Sequence, residues 1–323
     1  MDNDKLNKLL DRVIETSLDD DSTNKAVMAL LDEAKTYSSI EKVILLVKIL
    51  EPAAKKLGID QYITELAIKT EDTKSFDAVY SYALLCLLNN KEEQTFEFLN
   101  NILEKNPNAP IHMSLGDMYY YGIGVSQDFD VATKLYSKAV SNNEVEYSVI
   151  EEASKYYLDS AEEAKDIGEK MHYYELAFRY GNITAGNALG SIEYTDSKGV
   201  DFHSVFARYE NTARAGEQAI KYRPKNDKTI ITETAIASAF NNMGVLIINA
   251  GCVDASPQAL EYFEKAASLG SSIGQYNVGY MYFYGLGVIK NKEEGIKMFK
   301  KAASDGCQEA IKLLNKLQVN NQK

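Results

Sequence analysis

GQYNVGYMYFYGLGVIKNKEEGIKMFKKAASDG, from Gly274 to Gly306, echoes an earlier stretch of the same chain, IHMSLGDMYYYGIGVSQDFDVATKLYSKAVSNN, from Ile111 to Asn143. At an offset of 163 residues the two share Gly116/Gly279, Tyr119/Tyr282, Gly122/Gly285, Gly124/Gly287, Val125/Val288, Lys138/Lys301 and Ala139/Ala302. A self-similar unit of about 35 residues marks a repeat array, in which each unit buries one face against its neighbours. The expected fold is therefore all-α, an α-solenoid of stacked antiparallel helix pairs.

The register can be followed by an end signal, a small residue four positions before a terminating Gly or Asn. The pairs are Ala139/Asn143, Ala177/Gly181, Thr212/Gly216, Ala266/Gly270 and Ala302/Gly306, and an aromatic precedes each small residue by three: Tyr136, Tyr174, Tyr209, Phe263 and Phe299. The terminators are spaced by 38, 35, 54 and 36 residues. The long interval predicts an insertion of about 18 residues, placed within Glu217 to Ala235.

Inside the Gly274–Gly306 unit, Gly274, Val278 and Tyr282 fall on one helical face. Gly279 beside them lets another helix come close. Gly285-Leu286-Gly287 is expected to end the helix, because glycine accepts the left-handed backbone of a C-terminal cap. Asn291, like Asp128 in the earlier copy, is placed to cap the second helix, and Ser256-Pro257 serves another copy.

Upstream, apolar stripes at i, i+3 and i+4 predict helices through Leu6–Ile14, Ala26–Ala34, Ile40–Leu50 and Tyr62–Ala67. From Ser75 to Pro107, SFDAVYSYALLCLLNNKEEQTFEFLNNILEKNP reads as a helix pair broken at Asn89-Asn90, and is similar to a degenerate tetratricopeptide (TPR) repeat. The organisation expected is an N-terminal helical region over 1–72, this TPR-like pair over 73–108, and a repeat array over 109–318 with the insertion near 217–235.

The pattern L/V-G-x-x-Y-x-x-G-x-G-V-x-x-D/N, followed by Y/F-x-K-A-A/V and a Gly or Asn, resembles the Sel1-like repeat family. It is strongest over 109–143 and 271–306, weaker over 240–270, and weakest over 144–181 and 182–216. The resemblance implies a TPR-like superhelix acting as an adaptor or scaffold for protein complexes. Some bacterial members are secreted and laced with disulfides, but the paired cysteines of that branch are missing here.

Composition narrows the field further. Net charge is -12 over 323 residues. By thirds, residues 1–108 hold 13 basic and 20 acidic groups, 109–216 hold 9 and 17, and 217–323 hold 13 and 10. No concentrated basic face suits nucleic acid. The acidic part either keeps the chain soluble or attracts a basic partner. MDNDKLNKLL lacks the apolar core of a signal peptide, and the run Val43–Leu50 is too short to span a bilayer. No membrane association and a cytoplasmic location are expected, the latter suiting the scattered Cys86, Cys252 and Cys307.

Chemistry finds little footing. His112, His172 and His203 lie in different repeats, and His172 has only Glu169 and Glu175 a turn away. There is no HExxH or CxxC, and Gly122-Ile123-Gly124 is a helix end without a preceding strand or a following Lys-Ser/Thr. No enzyme activity, metal or cofactor is expected.

Function is instead expected on the first helices of the pairs, which line the concave side of such arrays. The candidate partner-binding residues are Met113, Asp117, Tyr121, Asn187, Asn241, Asn242, Asn249, Tyr276, Asn277, Tyr280 and Tyr284. Asn amides both donate and accept, and Tyr gives apolar area with a hydroxyl at low entropic cost. A second candidate is the basic insertion, with Lys221, Arg223, Lys225 and Lys228, read either as an anion grip or as a solvated loop or helix extension. The favoured function is a non-catalytic scaffold or adaptor for another protein or peptide, including an inhibitor or immunity-type protein that blocks a basic partner. The alternative is an enzyme or small-molecule sensor with a pocket between the N-terminal helices and the repeats.

Overall fold

The computed structural model describes residues 79–80, 83–84, 86–88, 90–144, 148–196, 201–225, 228–251 and 256–320. The four helices expected upstream, the region 1–72 and Cys252 lie outside the described residues. Described parts of 79–88 are helical. Then come α1 (Glu92–Lys105), α2 (His112–Tyr121), α3 (Phe129–Ser141), α4 (Val149–Glu163), α5 (Ile167–Arg179) and α6 (Ile183–Asp196). The chain continues through α7 (Phe202–Tyr222), α8 (Lys228–Asn249), α9 (Ser256–Ser268), α10 (Ser272–Tyr284), α11 (Lys292–Ser304) and α12 (Gln308–Asn320). The described residues contain no strand. The array is an all-α stack of helix pairs, as the repeat demanded.

The punctuation of the sequence becomes hydrogen-bond wiring. Asp128 accepts from the backbone N–H groups of Asp130 and Val131, and Asn291 from that of Glu294, so both expected caps form. First helices α2 and α10 end at Gly122 and Gly285 with φ of 68° and 77°. The cap residues Asp128 and Asn291 then donate their own N–H to the Tyr119 and Tyr282 carbonyls, locking the loop identically in both copies.

Second helices end as the small-residue signal implied. Asn143, Gly181, Gly270 and Gly306 are left-handed, and the residue after each donates to the carbonyl of Ala139, Ala177, Ala266 or Ala302. Gly216 breaks the series. It lies inside α7 and ends nothing: a Cβ there would come within 2.9 Å of Ile236 Cδ1, so the missing side chain admits α8. Residues 217–222 and 228–235 are helical, α7 running 21 residues and α8 running 22 where α9, α10 and α11 run 13 each.

One packing rule joins the two helices of a pair. The aromatic of the second helix lies on a glycine of the first: a Cβ would approach Tyr136 at 2.7 Å from Gly116, Tyr209 at 2.6 Å from Gly190, Phe263 at 2.6 Å from Gly244 and Phe299 at 2.9 Å from Gly279. Helices thereby approach close enough to bury Tyr136, Tyr209, Phe263 and Phe299 almost completely. Each such ring contributes about 2–3 kcal/mol of burial.

Two compact units divide the chain between Ala153 and Ser154. In the first, α1 packs on α2 and α2 on α3. Loop residue Gly124, at φ 68°, lies against the first turn of α1, where a Cβ would collide with the Glu92 carbonyl. In the second unit each helix from α5 to α12 packs on the next, and the first helices α6, α8, α10 and α12 also touch one another in turn. The second helices show no comparable contact with each other, so the first-helix layer is the inner one. Gly287 there repeats the clasp of Gly124, lying against Ser256-Pro257 at the start of α9.

Candidate functional site

In the second unit, α8 and α10 leave a cleft of ≈ 230 Å³ between them. Its walls and floor are apolar, from Val245, Ile248, Phe263, Met281 and Leu286, while Asn249, Asn277, Tyr276 and Tyr280 supply polar atoms. Phe263 and Met281 are buried parts of the core beneath, so the floor is rigid. The cleft exists because Gly244 draws the Phe263 ring under α8 while α10 offers Tyr276 and Asn277 rather than a bulky aliphatic pair.

A tyrosine ladder runs along the exposed edge of α10. Tyr276, Tyr280 and Tyr284 are spaced four apart, with ring centroids 6.2 Å and then 4.5 Å from each other. Tyr280 and Tyr284 are 38% and 46% exposed, high for large hydrophobic side chains. Burial, then the neighbouring Tyr280, Cys307, Tyr284 and Glu309, raise the Tyr276 hydroxyl above its ordinary value, so it stays protonated and can donate.

The asparagines are partly spent on the array itself. Asn277 donates to Asn241 Oδ1 at 2.7 Å, Asn249 to the Tyr194 hydroxyl at 3.0 Å, and Asn187 to the Ala235 carbonyl at 2.7 Å. Asn187 Oδ1 nevertheless remains a buried acceptor with no partner among the described residues.

Tyr276, Asn277, Tyr280 and Asn249 therefore meet at one cleft, with Tyr284 at its edge. Others of the expected set do not present themselves to a partner. Met113 and Asp117 are wholly buried, and this corrects their assignment to an open groove. Asp117 accepts from the Tyr136 hydroxyl at 2.8 Å and the Ser148 hydroxyl at 2.5 Å, which closes that face of the first unit. Tyr121 is half-buried edge-on to Tyr120, and Asn241 is 8% exposed, bridging α8 to α10. Tyr119 and Tyr282, shared by the two copies, are each half-buried.

The basic insertion is distributed rather than gathered. Lys221 is exposed over the Tyr222 ring at 4.8 Å on the last turn of α7, Arg223 is half-buried, and Lys225 is exposed in the following loop. Lys228 opens α8, its side chain outside the described residues.

Sequence reasoning passed over the apolar side of the cleft. Val245 aligns with Tyr280, one residue past the shared glycine, and that register could have found it. It also saw no partner for His112, whose Nδ1 lies 2.9 Å from Glu144 Oε2, both buried, pinning the start of α2 to the end of its own pair. Among the described residues no cluster of three or more metal-ligating side chains occurs. The stretch Ile231–Asn249 is long and apolar enough to cross a membrane, a feature the sequence reading missed, yet half of it is buried in the array. Ile236, Ala239, Phe240, Met243 and Leu246 of that stretch belong to the core.

The Sel1 repeat family matches residues 112–144, 252–271 and 272–307, so the chain carries Sel1 repeats. Among solved structures, a Sel1 repeat protein from Oxalobacter formigenes is 20% identical, with 74% of this chain and 89% of that one covered and a TM-score of 0.40. The protective antigen c5321 of uropathogenic Escherichia coli, displaying an SLR fold, is 16% identical over 90% and 70%, with a TM-score of 0.29. The Cut9-Hcn1 hetero-tetramer of APC/C matches at 13% identity over 96% and 54%, with a TM-score of 0.37. No curated protein matches the chain.

Proposed function

We propose that this chain, carrying Sel1 repeats, is a non-catalytic scaffold or adaptor that holds another protein or peptide on the inner face of its second unit. Repeats of the Sel1 and TPR kind generally mediate protein–protein interaction and are typically non-catalytic. The observation that carries the reading here is the α8–α10 cleft, apolar within and bordered by Asn277, Asn249 and the exposed tyrosine ladder. A side chain from a partner fills the apolar part, and the amides and hydroxyls meet its backbone. Asn277 Oδ1 is left over by the bond to Asn241, an acceptor for a backbone N–H of the partner.

The acidic balance of residues 109–216 favours a basic partner, which would fit an inhibitor or immunity-type role. The buried thiols of Cys86 and Cys307, neither in a disulfide, suit a reducing, cytoplasmic location, and the packing of α8 into the core suits a chain working off the membrane.

Site-specific photo-crosslinking in the native host tests the reading. A crosslinker at Tyr280 should capture a partner that one at Lys300 on α11 does not. The triple variant Asn277→Ala/Tyr280→Ala/Tyr284→Ala should lose that partner with helicity unchanged. Equal capture from both positions, or an unaffected triple variant, removes the cleft from consideration.

A further inference from the structure

Charge is segregated across the second unit. Its outer helix α11 carries Lys292, Lys297, Lys300 and Lys301, all exposed. On the inner side, α10 has no charged residue, and Ala235–Asn249 of α8 has none. The one charge in residues 183–195 of α6 is Glu193, already held by Arg208 at 2.8 Å. Residues 183–195, 235–249 and 272–284 of the inner helices α6, α8 and α10 thus offer no cation to an incoming anion.

What it does offer is π-electron density and one carboxylate. Tyr276 packs on the cluster of Ala302, Cys307 and Ala310, and Cys307 Sγ lies 3.4 Å from Glu309 Oε2 in the first turn of α12. Glu309 therefore stands at the Tyr276 end of the ladder. Its own backbone N–H, then the Cys307 thiol, hold this carboxyl below its ordinary value, so it is anionic at neutral pH. Aromatic faces attract a cation through the ring quadrupole, and a nearby carboxylate adds to that attraction. Lys312, one turn further along α12, is the internal competitor for the same carboxylate.

We propose that the segment held on this inner face carries an arginine or lysine whose cationic group lies over the Tyr280 and Tyr284 rings towards Glu309, beside an apolar side chain that fills the α8–α10 cleft. The proposal rests on the binding-module reading and names the chemistry of its ligand. Arginine suits the rings best, since its planar guanidinium stacks and is weakly hydrated. An acidic segment would find no counter-charge among residues 183–195, 235–249 and 272–284.

The probe is a phage-displayed library of random short peptides, selected against the full chain and followed by fluorescence polarisation with labelled winners. Winners should pair a basic residue with an apolar one. Their affinity should fall about tenfold in Tyr280→Ala/Tyr284→Ala, survive in Tyr280→Phe/Tyr284→Phe, and weaken about threefold in Glu309→Gln and in high salt. Far-UV circular dichroism establishes that each variant folds. Neutral or acidic winners that Ile248→Glu still abolishes would overturn the cation while leaving the cleft as a binding site. Loss of basic winners in the Phe variant would overturn the ring contact. Winners indifferent to the Tyr and Ile248 substitutions alike would overturn the cleft itself.

Discussion

The pairs α2–α3 and α10–α11 descend from the same motif and treat their inner faces in opposite ways. Both wire the loop from Tyr119 or Tyr282 to the cap of the second helix, and both lay an aromatic on the glycine of the first. At the next position along, one has Asp117, wholly buried and bonded to two hydroxyls, and the other has Tyr280, 38% exposed. Three before the glycine, Met113 is buried where Tyr276 borders a cleft. The shared residues build the pair, and the unshared ones decide whether its surface is closed or open.

The strongest test of the common part is the loop clasp. Gly124→Ala and Gly287→Ala each place a Cβ against backbone at a φ near +68°, and each should cost about 3–5 kcal/mol in urea denaturation followed by circular dichroism. Gly122→Ala, with only ordinary contacts around it, should cost about 1–2 kcal/mol. A small loss at Gly124 but a large one at Gly287 would break the equivalence of the two copies.

Next in size comes the divergent position. Asp117→Ala removes the buried acceptor of the Tyr136 and Ser148 hydroxyls and should destabilise the first unit by about 3 kcal/mol. Tyr280→Ala, at the aligned site, should change stability by less than about 0.5 kcal/mol. Equal losses would mean that the two faces are alike after all.

Gly116→Ala and Gly279→Ala sharpen the shared packing rule. Each pushes a Cβ to within 2.9 Å of Tyr136 or Phe299, and each should cost about 1–3 kcal/mol by the same measurement.

The smallest effect is in pH. Burial first, with Glu193 and Tyr194 adding to it, raises the Tyr209 hydroxyl above 10.0, as burial raises Tyr276. A folded-state value above the unfolded one gives stability that is complete below about pH 10 and lost as pH rises through the raised value. The second unit should therefore soften in alkali, and Tyr209→Phe should flatten that decline in a pH series of thermal melts.

Much of the fold was legible because its signals are local. Ala139, Ala177, Ala266 and Ala302 receive the helix-ending bonds that their place before Asn143, Gly181, Gly270 and Gly306 suggested. Gly216 misled because a glycine admits either a left-handed turn or a close neighbour, and only Ile236 of α8 shows which. The candidate site was legible in part: Tyr276, Asn277, Tyr280 and Asn249 do converge, whereas Met113 and Asp117 belong to the packing. Val245, Ile248 and Leu286 escaped notice as ordinary apolar residues, since nothing in the chain says which aliphatic side chains stay uncovered.

By itself, then, the sequence determined the repeat, its caps, its helix ends and the all-α stack, because each depends on groups a few residues to about 35 residues apart and recurs. Only the tertiary structure decided which inner surface is closed by Asp117 and which is left open beside Tyr280. Exposure depends on what the adjacent helices place opposite a residue, and in the divergent repeats that is free to change while the motif stays the same.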